Sequence, residues 1–184
     1  MVLSVDAQHL PSPPRLRLLQ RATQFFHALA ARLDDEDRLL VESLLVGEEL
    51  SLFRRLRPGD QRHSVAVARS LMGAGREERL LLRAALLHDV GKVDAGMTLF
   101  HRVTGVLVEW LSPSLLRRLA APHAGSWRYP YHVYLYHHEL GARMLEERGT
   151  PPTIVRLVRG LGSTGRDGQA SSDLAALRAA DDAN

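Results

Sequence analysis

The chain has 184 residues, 45% hydrophobic but only 5% aromatic, and a net charge of +3 beneath a pI of about 9.8. That length suits one domain with a substantial core, and the even mixing of arginine with acids excludes the dense basic run that nucleic-acid binding favours. The absence of cysteine excludes disulfides and thiolate metal sites, so any metal must be held by His, Asp or Glu.

The elements read almost entirely as helices. Leucine, alanine and arginine dominate, and straight-chain residues lose little freedom in a helix. Ser12 caps a first helix with Pro13 in its opening turn, running to about Leu33 on a stripe of Leu18, Leu19, Ala22, Phe25, Phe26 and Leu29. The acids Asp34–Asp37 suit the N-terminus of a second helix, which carries Leu39, Leu40, Leu44, Leu45, Leu52, Phe53 and Leu56 and stops at Arg57-Pro58-Gly59-Asp60.

Asp60 reads as the cap of a third helix to about Met72, and a fourth runs from Glu77 to Val90, ending at Gly91. Thr98–Leu111 and Ser114–Leu119 follow, then a loop over 120–130 with an aromatic pair. Tyr131–Arg148 is a long helix closed by Gly149, and Pro151-Pro152 start the next, which ends near Gly160. A glycine-rich loop leads to a last helix capped by Asp173. No strand pair or repeat is evident. The expectation is an all-α bundle of about eight to nine helices, with residues 1–58 a helical extension packed on a domain over 59–184.

The informative residues interrupt apolar stripes. His63 precedes Val67 and Leu71 at helical spacing; His88 shares a face with Leu81, Ala84 and Ala85; Asp89 lies on the adjacent strip. His137 precedes Leu140, Gly141 and Met144, and Asp181 follows Leu174 and Leu177. Each alone fits a satisfied core residue. Together they need a partner, because a buried carboxylate without one is costly, and a divalent cation would satisfy them collectively. In mid-helix, neighbours diverge by about 100°. His88 and Asp89 can therefore share an ion only because Gly91 puts them at a helix end. Lys92 stands beside them as the only lysine among 24 basic residues. A flexible ammonium suits a point contact to a phosphate oxygen.

These residues resemble the HD-domain superfamily of metal-dependent phosphohydrolases, in its HDIG-like form. The pattern is His63 in "DQRHSVAVA", His88-Asp89 in "AALLHDVGK" and Asp181 in "RAADDAN". "HHELGARML" is similar to the segment "HPELGA" of a branch with extra ligands, which puts His137 in a ligand position and His138 where proline often stands. The two-metal members carry a histidine pair where this chain has Leu161 and Gly162.

The resemblance implies one well-held divalent ion (Fe, Mn, Zn, Ni or Mg) on His63, His88, Asp89, Asp181 and His137; the departure at Leu161–Gly162 counts against a second. It also implies hydrolysis of a phosphate ester, a nucleotide above others, with Asp89 and Lys92 catalytic and Lys92, Arg62 and His137 contacting substrate. Whether the ester is a mono- or diester stays open. His101, His123, Arg128, His132, Trp127 and Tyr129 lie near this region in sequence, without a spacing that demands a role. The alternative is an HD-fold binding or regulatory module with weak or no turnover. With no run of about 18 apolar residues and no signal-peptide pattern, the expected setting is the cytoplasm, with no membrane or nucleic-acid partner; a homodimer is left open.

Overall fold

Asp34 accepts the backbone N–H of Asp37 at 2.8 Å and so opens helix α1, Asp35–Leu44, whose first turn is acidic as the helix dipole favours. This computed structural model describes residues 32–93, 95–96, 98–163 and 171–184. The helix expected from Ser12 to about Leu33 lies almost wholly outside them, as does most of the glycine-rich loop.

The single helix expected after the acidic cluster is two. The chain extends at Leu45 and Val46, Gly47 takes φ 55°, and α2 then runs Gly47–Arg55. The break lets Leu45, Leu52 and Phe53 all enter one buried cluster. Pro58 opens α3, Pro58–Gly73, with Arg57 extended before it. Asp60 is therefore a buried residue of the first turn rather than the expected cap.

The centre of the fold is α4, Arg79–Leu87, where Leu81, Leu82, Ala84, Ala85, Leu86 and Leu87 are all buried. A helix apolar on every side belongs in a core. It stops at Leu87, earlier than expected, and the chain passes through His88 and Asp89 into a 3₁₀ turn, Val90–Lys92. Then come α5 (Leu99–Leu111, capped by Thr98), α6 (Pro113–Leu119, capped by Ser112), α7 (Tyr129–Glu146), α8 (Pro152–Leu161) and α9 (Ser172–Asp182). Gly149, at φ 72°, ends the turn after α7. Ser171 rather than Asp173 caps α9, and Asp173 instead receives the Arg76 guanidinium at 2.6 Å. The described residues thus form nine α-helices and no strand, an all-α bundle. None of these helices is long and apolar enough to cross a membrane.

Helices α3, α8 and α9 pack on α4, while α7 lies across the 3₁₀ turn. Inside, Glu49 of α2 takes both Nε and a terminal nitrogen of Arg83 of α4, at 3.1 and 2.6 Å. The approach of α7 to the turn depends on two glycines. A Cβ on Gly91 would overlap the His137 carbonyl oxygen and lie 2.7 Å from the Gly141 nitrogen, and a Cβ on Gly141 would lie 2.9 Å from the Gly91 nitrogen. No side chain has room at either position.

Helix α5 reverses the usual pattern. His101, Thr104 and Gly105 face α7: Thr104 Oγ1 is 2.9 Å from the Tyr131 hydroxyl, the His101 ring meets Tyr131 edge-on, and Gly105 lies against the Tyr134 ring. Phe100, Val103, Leu107, Trp110 and Leu111 are exposed.

The glycine contact yields a first prediction. Gly91→Ala must separate the turn from α7, and overpacking of this kind costs about 3 kcal/mol. Urea unfolding is expected to show a loss of that order; an unchanged midpoint would refute the contact.

Candidate metal centre

His88 and Asp89 sit where α4 gives way to the 3₁₀ turn. His88 keeps helical angles, whereas Asp89 takes φ −95° and ψ 1°. That change brings two neighbouring side chains together: His88 Nε2 is 3.5 Å from Asp89 Oδ1, with both residues 1% exposed. From α9, Asp181 Oδ1 lies 3.4 Å from His88 Nε2 and 2.9 Å from His63 Nε2 on α3. From α7, His137 Nε2 is 3.5 Å from Asp89 Oδ1. Four segments far apart in sequence thus deliver His63, His88, Asp89, His137 and Asp181 to one place.

The histidines are held for ligation. His88 Nδ1 donates to the Ala85 carbonyl at 2.7 Å and His137 Nδ1 donates to the Tyr134 carbonyl at 3.0 Å. Each backbone bond engages Nδ1 and turns Nε2 towards the carboxylates, the support that metal-binding imidazoles use. Lys92 Nζ hydrogen-bonds Asp89 Oδ2 at 2.7 Å, while Asp89 Oδ1, though as near to the ammonium, is buried with no hydrogen bond.

The charges respond to one another. Burial alone would raise the Asp89 pKa, but the Lys92 ammonium and the two imidazoles outweigh it and hold the carboxyl far below its usual range. Asp181 is likewise depressed: hydrogen bonds from His63 and His88 overcome its burial. Burial works to lower His88, yet Asp89 and Asp181 raise it above the ordinary histidine value. His137 is pushed down to about 3, by burial first and then by the Lys92 charge.

These donors fit a divalent cation of the kind that takes nitrogen and oxygen ligands. The groups His63, His88 and Asp181, and Asp89, His137 and His138, each offer ligand atoms within 4.8 Å of one another. An unbonded, fully buried carboxylate oxygen between two imidazoles is what such an ion would satisfy.

Comparison with protein families matches residues 61–181 to the HD domain. The chain belongs to the HD-domain family. The matched region begins at the foot of α3 and ends at Asp181, so it takes in every donor named above. No curated protein and no solved structure matches the chain. HD domains bind divalent metals and typify metal-dependent phosphohydrolases, and in this HD domain His/Asp groups that could hold a metal are present.

The other residues singled out from sequence are placed elsewhere. Arg62 lines a surface cavity with Asp34, Glu36, Asp37 and Arg69. His101 closes the capping box of α5 with Thr98. His123 is exposed, Arg128 donates to the Leu119 and Arg118 carbonyls, Tyr129 stacks on His132, and Trp127 is exposed against the edge of Tyr131. His138 is the residue that sequence reasoning passed over. Its Nε2 is buried without a hydrogen bond, and its pKa falls to about 4, through burial first and the charge of His88 next.

The raised His88 pKa sets a pH dependence. A folded-state pKa above the unfolded one stabilises fully below the unfolded value and is lost as pH rises through the folded value. The carboxylates, being depressed, contribute a constant amount in that range. His137 and His138 act the other way, because their depressed pKa values keep them neutral in the folded chain where the unfolded chain is protonated. Two lowered imidazoles outweigh one raised, so the melting temperature of the cation-free protein is expected to rise between about pH 5 and 6.5, and the further increase on adding Mn²⁺ grows with pH as the ion displaces protons from its ligands. Thermal melts at intervals across that range check both; a cation-free stability that falls as pH rises through it contradicts the assignment.

Proposed function

We propose that this HD domain is a hydrolase of phosphate esters, with a nucleotide as the substrate class, and that His63, His88, Asp89 and Asp181 hold its principal cation. The observation that carries the reading is the convergence of these four on Asp89 Oδ1 and Asp181 Oδ1, with the former unbonded. A divalent ion there supplies Lewis acidity for a phosphoryl oxygen and lowers the pKa of a water.

The chain's own groups do the rest. Asp89, ionised throughout the neutral range, accepts a proton or fixes the direction of a water with Oδ1, the oxygen that takes no hydrogen bond. The Lys92 ammonium is 22% exposed, so it can hold Asp89 and still offer charge to a phosphoryl oxygen. Neutral His137 orients towards the same carboxylate and contacts either ion or substrate. We keep Arg62 as a substrate contact on sequence grounds alone. The domain is placed over residues 59–184 with 1–58 as its extension; the burial of Leu45, Leu52 and Phe53 in the same cluster as α4 supports the packing of α1 and α2 against it. A cytoplasmic setting belongs to the same reading.

The test uses Mn²⁺-loaded protein with p-nitrophenyl phosphate, bis(p-nitrophenyl) phosphate and nucleoside monophosphates. Release is expected to require the ion and to drop by about 10²-fold or more in Asp89→Asn. Bound ion without turnover on any ester would favour the binding-module alternative instead.

A further inference from the structure

His138 follows His137 on α7, so the two rings would ordinarily diverge. Instead the rings lie 4.0 Å apart between centroids, and a ring nitrogen of His138 comes within 4.8 Å of the ligand atoms of Asp89 and His137. The room for this comes from α8. A Cβ on Gly162 would sit 3.1 Å from His138 Cβ and 3.6 Å from Nδ1, so any side chain there would press the imidazole out of its place. His138 Nε2 is buried with no hydrogen bond, and Asp89 Oδ1, also buried, has the Lys92 ammonium at 2.7 Å but no hydrogen bond. Leaving the imidazole nitrogen unsatisfied is expensive, and a cation between it and the carboxylate would meet both.

We propose that Asp89, His137 and His138 form a second cation site, with His138 supplying from α7 the donor that Leu161 and Gly162 at the end of α8 do not. It rests on the phosphohydrolase reading only in taking the His63, His88 and Asp181 group as the first site. Two imidazoles to one carboxylate select a first-row transition ion such as Mn²⁺, Fe²⁺ or Zn²⁺ over Mg²⁺. Asp89 faces both groups, through His88 on one side and His137 on the other, and so bridges them. With Lys92 beside the same carboxylate, the second ion binds more weakly than the first.

Equilibrium dialysis against Mn²⁺, followed by elemental analysis and electron paramagnetic resonance, tests this. Wild-type protein is expected to take two Mn²⁺ with a spin-coupled signal. His138→Ala, with unchanged circular dichroism, is expected to take one and give the signal of an isolated ion. If His138→Ala does not fold, Gly162→Leu serves, with the same loss of the second ion. One Mn²⁺ in the wild type, or two in a folded His138→Ala, overturns the second site and leaves the first intact. No Mn²⁺ in the wild type overturns both.

An independent observation concerns α5. Among its described side chains, His101 and Thr104 beside Gly105 turn to α7, and the exposed ones are large and apolar, with Trp110 80% and Phe100 68% exposed. Hydrophobic burial would place these faces the other way round. Phe100, Val103, Leu107, Trp110 and Leu111 recur at helical spacing and are each more than half exposed, a row of large apolar side chains of the kind that a subunit interface covers. Among the described side chains of α5 none is a lysine or arginine, unlike the basic-rich helices that lie on a bilayer.

We infer that a second copy of this chain covers it, α5 pairing with α5 about a twofold axis. Sedimentation velocity of the full chain is expected to show a dimer that Leu107→Glu and Val103→Glu each turn into a monomer with unaltered circular dichroism. A monomeric wild type overturns the inference, and so does a monomer that sediments with anionic vesicles, which would assign the face to lipid.

Discussion

The contact between Gly91 and Gly141 is the constraint on which the rest depends. Two backbones meet there with no side chain between them, and the carbonyl of His137 lies against Gly91. Because Asp89 is two residues before one glycine and His137 four before the other, this approach sets the distance between an acid on the turn and an imidazole on α7. A single methyl group would open that distance, and no rotamer change on either side could close it again. The site's precision is thus a property of main chain rather than of side-chain packing.

On that frame the polar groups hold one another's charge states. Lys92 and the imidazoles keep Asp89 ionised where its burial would protonate it, and the two carboxylates keep His88 basic where its burial would do the reverse. His137, screened from solvent and set beside an ammonium, stays neutral. The result is a pocket in which acids are charged and two imidazoles, His137 and His138, carry lone pairs at neutral pH. Those are the states in which such groups bind a cation, reached without any unusual residue.

Much of this was legible in the residues themselves. His63, His88, Asp89, His137 and Asp181 each broke an apolar stripe, and that anomaly is visible without coordinates because helical period fixes which positions turn inward. The helix-end placement of His88-Asp89 also followed from Gly91, although α4 stops at Leu87 rather than Val90. What could not be read was anything set by contact between distant segments. The break at Leu45–Val46 is marked in the sequence only by Gly47, which takes φ 55°, and not in the apolar periodicity. Asp60 and Asp173 looked like caps, but Pro58 and Ser171 start those helices. His138 was given no ligand role because its neighbour is His137, and its inward turn depends on an empty position at Gly162, just past the end of α8.

Lys92 leaves one more consequence. It carries the only side-chain amine in these 184 residues, and that nitrogen rests 2.7 Å from a buried carboxylate. Acylating agents and aldehydes that spread over dozens of surface positions in most proteins would meet a single side-chain target here. Their product would be a neutral amide or imine at the point where Asp89 expects a positive neighbour. The arginine-for-lysine bias across the rest of the sequence therefore makes ordinary amine chemistry a reporter of one atom.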